Sequence, residues 1–193
     1  MSLASLPRSF FARDALVVAR ALVGCFLVHG PRVGRIVETE AYRGPKDLAC
    51  HARVGLTKRT RTLLGVPGHA YVFLIYGMHD CMNVVCKADG SGHAVLLRAV
   101  EPVAGFSGEL RGDGPGRLAR IMQIARSHDG LDVCEGGVLG FLPRDRRPSV
   151  GVSARVGVGY AGSWADKPWR FFDARSPHVS KLGAATLGSG RSR

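Results

Sequence analysis

Two glutamates separated by one residue are the first candidates for acid–base chemistry in this sequence. Glu38 and Glu40 lie in the segment 33–42, whose apolar character predicts a strand. Alternate side chains of a strand point to the same face, so both glutamates are expected beside Ile36 and Tyr42, with carboxylates roughly 7 Å apart. A carboxylate next to an aromatic ring can form the floor of a pocket, and a solvent-exposed strand is an equally good interpretation.

His51 is a second candidate for proton transfer, although an isolated histidine is more often a packed or surface residue. The sequence contains no zinc-deaminase, G-x-S-x-G or H-E-x-x-H signature. Its five cysteines form no C-x-x-C pair, which argues against a disulfide framework and a four-cysteine zinc site. No metal site is therefore expected.

Polar residues interrupt two further apolar strands. Asn83 must hydrogen-bond either to the core or to a ligand that enters a pocket. Arg98 requires a carboxylate if it is buried, and Glu38 or Glu40 is the natural partner if the two strands adjoin.

An aromatic run from Tyr71 to Met78 ends in a tight turn. Part of this run is expected to be a core strand. Tyr76, Met78 and His79 lie in or beside the turn, where we expect exposure. An aromatic ring and a thioether at a loop tip of a basic protein are typical of a wedge that intercalates into DNA.

Short strands and a few helices must position these residues. The pattern predicts a single α+β domain in which a curved, mostly antiparallel sheet packs against a few helices. We expect an arm at residues 1–11, with Phe10 and Phe11 exposed, and a frayed tail at residues 183–193. The predicted helices span about 12–22 and 117–127, and the predicted strands span 25–29, 33–42, 70–76, 81–86, 94–100, 138–142, 150–158 and 169–172. The first two strands are predicted to form a hairpin, and the next three, joined by short turns, an antiparallel meander.

The charge of the chain indicates a polyanionic partner. Lys and Arg total 27 against 15 Asp and Glu, a net charge of +12, and 22 of the basic residues are arginine. Arginine suits phosphate contacts, so nucleic acid is the simplest partner, although arginine-rich codon usage has the same effect on composition. No apolar window reaches the length of a membrane span. We expect a monomer in the cytoplasm, at the bacterial nucleoid or in a nucleus, with no membrane partner.

Several motifs occur in an order that resembles the alkyladenine DNA glycosylase family, the 3-methyladenine DNA glycosylases of the non-helix-hairpin-helix type. The resemblance extends from about Leu16 to Ser180. It rests on VETEAY (37–42), a GP followed by His51, YVFLIYGM (71–78), CMN (81–83), LLRAVEP (96–102) and ARVGVGYAGSWADKPWRFF (154–172).

The resemblance implies a role for each candidate. Glu40 would be the general base that activates water, and Arg98 would hold that water or orient Glu40. Tyr76 would fill the gap left in the duplex by a flipped nucleotide. The remaining candidates would line the base pocket (Tyr42, Ala49, His51, Phe73 and Asn83) or contact the groove (Met78 and His79).

The same resemblance implies a monofunctional glycosylase of base excision repair. It would act on double-stranded DNA that contains damaged purines, without a metal or organic cofactor, by base flipping and water attack at C1′. The implied substrates are 3-methyladenine and 7-methylguanine, with hypoxanthine and ethenoadenine as further candidates. Phe73 stands where many relatives have tyrosine, which affects the expected substrate range rather than the reaction.

Two other classes stay open on the residues alone. One is a non-catalytic nucleic-acid-binding module in which Glu38 and Glu40 are structural. The other is a hydrolase of a small anionic or nucleoside substrate that uses Glu40 and His51.

Overall fold

An antiparallel sheet of eight strands organises residues 5–75, 77–108 and 111–180, the part of the chain that this computed structural model describes. The strands are β1 (Phe26–His29), β2 (Arg32–Arg43), β3 (Ala70–Ile75), β4 (His79–Cys86), β5 (His93–Ala104), β6 (Leu139–Leu142), β7 (Val150–Ser153) and β8 (Arg170–Asp173). Their order in the sheet is β3-β4-β5-β2-β1-β6, and β8 pairs with the second half of β2 and with β7. This curled sheet confirms the predicted α+β class, the hairpin and the three-strand meander.

Two helices of eight residues pack on one face of the sheet. The first of them begins after Asp14, whose side chain accepts a hydrogen bond from the Leu16 N–H and so caps the helix. It is tied to the sheet where the Thr39 hydroxyl donates to the Ala19 carbonyl. The opposite face of the sheet carries buried polar side chains together with a second apolar cluster that includes Tyr71 and Phe73. The helices are α1 (Arg8–Phe11), α2 (Ala15–Leu22) and α3 (Pro115–Met122), and 3₁₀ turns span His51–Val54, Arg126–His128 and Gly159–Trp164.

A bulge in β2 directs the two glutamates away from the helices. The pairing with β5 passes from Ile36 directly to Glu38 and leaves Val37 as an extra residue. An extra residue shifts the alternation by one. Ile36 therefore belongs to the helix-side core, while Glu38, Glu40 and Tyr42 project to the other face. The expectation that Ile36 shares a face with the glutamates was wrong for this reason.

Residues 5–11, the described part of the predicted arm, pack on the sheet. The Leu6 N–H donates to the Phe141 carbonyl, and the Phe11 ring lies fully buried 5.4 Å from the Phe141 ring. The predicted exposure of Phe11 was therefore wrong, because an apolar surface of the sheet is available to cover it. Residues 183–193, the predicted tail, lie outside the described residues.

Two predicted elements end early for local reasons. Helix α3 ends at Met122 because Gln123 adopts a left-handed conformation (φ 55°). Strand β7 ends at Ser153, and Arg155 then turns inward to pair with buried Asp47 at 2.6 Å.

Within the described ranges, no helix combines the length and the apolar character that crossing a membrane requires.

Candidate active site

The guanidinium of Arg98 lies between the two buried glutamates. Its Nε donates to Glu38 Oε1 at 2.7 Å, and its Nη1 lies 3.3 Å from Glu40 Oε1. All three side chains are buried on the face of the sheet opposite α2 and α3. The expectation that a buried Arg98 pairs with one of these carboxylates is confirmed, and the arginine reaches both.

Glu38 is surrounded by donors. Besides Arg98, its carboxylate accepts hydrogen bonds from the Arg170 Nε at 2.6 Å and from the backbone N–H and hydroxyl of Ser180 at 2.7 and 2.8 Å. Burial opposes ionisation of Glu38, but the charge of Arg98 and the hydrogen bond from Arg170 outweigh it, so the pKa of Glu38 is lowered. Glu38 is thus ionised, and it binds Arg170 of β8 and Ser180 in the segment that follows β8.

Glu40 has fewer charged partners. The Val156 N–H donates to its Oε1 at 2.8 Å, and the Tyr42 hydroxyl donates to its Oε2 at 2.8 Å. Complete burial raises the pKa of Glu40 above its ordinary value, against the effects of Arg98, Val156 and Tyr42. A carboxylate with a raised pKa is a stronger proton acceptor, which suits a general base.

A cavity of about 150 Å³ lies next to Glu40. Tyr42, Arg98 and Val156, the three groups that contact its carboxylate, all contribute to the cavity wall. Glu40 itself is fully buried and does not line the cavity, so the groups that orient its carboxylate lie between it and a ligand there. All five predicted pocket residues line this cavity, namely Tyr42, Ala49, His51, Phe73 and Asn83.

Aromatic rings form one wall of the cavity. The rings of His51 and Phe73 lie 4.5 Å apart edge to face, and Tyr71 lies 5.4 Å from Phe73. The Tyr71 hydroxyl is 3.0 Å from His51 Nδ1. Burial and the nearby charge of Arg59 lower the pKa of His51 to about 4, so the ring is neutral at physiological pH. The wall is aromatic, and it is uncharged at His51.

Asn83 is held in place within this wall. Its Nδ2 donates to the Tyr71 carbonyl at 3.1 Å across the β3–β4 pair. The hydrogen bond fixes the plane of an amide that faces the cavity. The sequence left two interpretations of Asn83, a hydrogen bond to the core and a position in a pocket. Both hold in the structure.

The turn between β3 and β4 presents Met78 and His79 to solvent, and Met78 is 70% exposed. Tyr76, the predicted intercalating residue, lies outside the described residues. Near the base of the turn, Gly116 of α3 approaches His79 so closely that a Cβ there would lie 3.0 Å from the His79 Cβ. Helix α3 thus supports the hairpin that carries the exposed side chains.

Three residues of the site were not singled out from the sequence. Arg170 and Ser180 bind Glu38, and Tyr71 binds His51 and Asn83. Arg170 carries the same signal as Arg98, a charge within an apolar strand. Ser180 has no comparable signal.

Within the ranges that the structure describes, no group of three His, Cys, Asp or Glu side chains is arranged to hold a metal ion.

Comparison with known proteins finds one family model and several relatives that cover most of the chain. A sequence model described as methylpurine-DNA glycosylase matches residues 9–177. Three similar proteins share the name "Putative 3-methyladenine DNA glycosylase". The protein of Myxococcus xanthus is 54% identical over 182 residues (91% of this chain, 93% of the relative). The relative in Methanocella arvoryzae is 47% identical (91% and 96%), and that in Legionella pneumophila strain Corby is 43% identical (91% and 98%). The chain belongs to the methylpurine-DNA glycosylase family.

Proposed function

We propose that this protein is a monofunctional DNA glycosylase that removes alkylated purines from double-stranded DNA by base flipping and water attack at C1′. The observation that carries the proposal is Glu40, a buried carboxylate with a raised pKa beside an aromatic cavity. Family membership supports the reaction class, and the names of the relatives support 3-methyladenine as a substrate.

The proposed reaction uses Glu40 as the acceptor of one proton. The C1′–N bond of the damaged nucleotide breaks, and its electron pair leaves with the purine. A water oxygen bonds to C1′ while Glu40 takes the proton of that water. Arg98 and the Val156 N–H hold Oε1, and Tyr42 holds Oε2, so the carboxylate is oriented before substrate enters.

The cavity suits a cationic purine. Methylation at a ring nitrogen gives the base a positive charge, which makes it a good leaving group and favours contact with aromatic faces. His51 and Phe73 line the cavity, and His51 adds no charge because its pKa is lowered to about 4. Arg59 also lines the cavity, and its guanidinium lies 5.2 Å from the centre of the Phe73 ring, so it already occupies one aromatic face. Neutral lesions such as hypoxanthine lack this advantage and would need protonation of the purine.

Access to the base requires that the nucleotide leaves the duplex. Extrusion costs a few kcal/mol, and less for poorly paired lesions. In our proposal Tyr76 fills the gap, with Met78 and His79 beside it in the minor groove. Three exposed arginines, Arg53, Arg59 and Arg61, lie in the segment that leads to β3, and Arg59 also lines the cavity. They suit phosphate contacts. The monomeric state and the cytoplasmic, nucleoid or nuclear location stay predictions.

Release of free base is the experiment that tests this function. Duplex DNA treated with dimethyl sulfate is expected to release 3-methyladenine and 7-methylguanine, measured by chromatography, while the same DNA without treatment releases no base. DNA binding without release would favour a non-catalytic module. Release from free methylated nucleosides that excess undamaged duplex does not inhibit would favour a small-molecule hydrolase.

The acid side of the pH profile should report Glu40. The base must be ionised to accept a proton, so single-turnover excision of 7-methylguanine should fall on acidification with a midpoint above 4.5, the ordinary pKa of glutamate. This lesion is chosen because its methyl group supplies the positive charge without added protonation.

His51→Gln is the control for this profile. The lowered pKa of His51, about 4, keeps its ring neutral across the measured range, so the variant should retain the midpoint. A midpoint at or below 4.5 would contradict the raised pKa of Glu40. Disappearance of the midpoint in His51→Gln would assign the titration to His51 instead.

A further inference from the structure

A second groove lies across the sheet from the candidate active site. It has a volume of about 610 Å³ and runs between α2 and the segment 144–150. Neighbouring residues of β8 define the two faces, since Arg170 binds Glu38 on the cavity side and Phe171 packs in the helix-side core. The apolar part of the groove is lined by Leu16, Val17, Ala21, Pro148, Val150 and Phe171.

Three exposed arginines surround this apolar floor. Arg20, Arg144 and Arg147 line the groove, and its lining contains no carboxylate. Within the described residues none of the three forms an ion pair, although adjacent Arg146 pairs with Asp173 and adjacent Asp145 with Arg35. The groove therefore combines uncompensated positive charge with apolar surface, and Val17 is 49% exposed.

The walls of the groove are fixed by contacts with the end of α2. Gly24 has a positive φ of 89°, and a Cβ built on it would lie 3.3 Å from the Pro148 ring. The Arg144 Nη1 donates to the Val23 carbonyl at 3.4 Å, and Val150 pairs with Asp173 in the sheet. A groove with such walls needs little ordering when a ligand binds.

We infer that this groove binds a short acidic peptide segment of another protein, one that also carries apolar side chains. Carboxylates of the peptide meet the planar donors of the arginines, and apolar side chains cover the floor. A nucleic acid backbone supplies the charge but has no apolar side chain for Leu16, Val17 and Phe171. The inference goes beyond the proposed glycosylase activity. Because the groove and the cavity lie on opposite faces of the sheet, damaged DNA in the cavity does not compete with the peptide.

Fluorescence anisotropy with defined peptides tests the inference. The probe is fluorescein-labelled Asp-Asp-Leu-Asp-Phe, and the comparison peptide is Asp-Asp-Gly-Asp-Gly, which has the same charge without apolar side chains. We expect the probe to bind at least about tenfold more tightly than the comparison peptide. The double variant Arg20→Glu, Arg147→Glu should weaken probe binding by about tenfold or more, as should Val17→Asp.

A matched variant separates the groove from general charge attraction. Arg126→Glu, Arg175→Glu changes the same number of exposed arginines outside the groove, and it should alter probe binding less than about twofold. The double variant Arg20→Glu, Arg147→Glu is the groove variant, and its base release from methylated duplex should be unchanged. Equal binding of the two peptides, or equal losses in the two double variants, would overturn the inference. If undamaged duplex displaces the probe from the native protein but not from the groove variant, the groove is a nucleic acid surface instead.

Discussion

Replacing Glu40 with glutamine is expected to lower single-turnover excision of methylated purines by about 100-fold or more while binding to damaged duplex persists. Glutamine keeps the shape of the side chain and can still accept from Tyr42 or Val156, but it cannot take a proton from water. Quenched-flow or manual single-turnover assays on a 7-methylguanine duplex measure the rate, and gel shift measures binding.

The same variant should not lose stability. Burial raises the pKa of Glu40, so the ionised carboxylate is less favourable in the folded protein than in water, and it lowers stability at neutral pH. Removing that charge is therefore expected to leave the urea midpoint unchanged or to raise it. Excision at a near-normal rate in a folded Glu40→Gln protein would refute the assignment of Glu40 as the base.

Glu38→Gln is the isosteric counterpart, and its main effect should be on stability. Glu38 pairs with both Arg98 and Arg170 inside the protein and also receives two hydrogen bonds from Ser180. Removing one charge from a buried network leaves its partners uncompensated, which costs about 3–5 kcal/mol. Urea unfolding followed by tryptophan fluorescence measures this loss.

The pH dependence of stability distinguishes this role further. The pKa of Glu38 is lowered on folding, so its contribution is present above the ordinary value of 4.5 and disappears as the pH falls through the folded value. The difference in unfolding free energy between the native protein and Glu38→Gln should therefore shrink on acidification. A Glu38→Gln protein with native stability at neutral pH and no excision would show that the two glutamates had been assigned the wrong way round.

Much of the framework could be predicted from local sequence. The turn residues and apolar runs predicted the hairpin of β1 and β2 and the meander of β3, β4 and β5, because antiparallel neighbours joined by short turns are encoded within a few residues. Arg98, an arginine within the apolar strand β5, indicated a buried ion pair with Glu38 or Glu40, and the structure has both pairs. Local pattern failed at Ile36, where one extra residue in β2 reverses the face.

The sequence by itself determined the family, the α+β framework and the two glutamates on one strand face. The strand pattern did not distinguish Glu38 from Glu40, since both occupy equivalent positions in an apolar strand. Only the resemblance identified Glu40 as the base. The tertiary structure decided which of them is surrounded by donors. Arg170 and Ser180 reach Glu38 from 132 and 142 residues further along the chain, and Val156 reaches Glu40 from 116 residues away. Those contacts lower the pKa of Glu38 and leave that of Glu40 raised by burial. No local pattern contains them, because a pKa depends on the charges and donors that folding brings within hydrogen-bond distance.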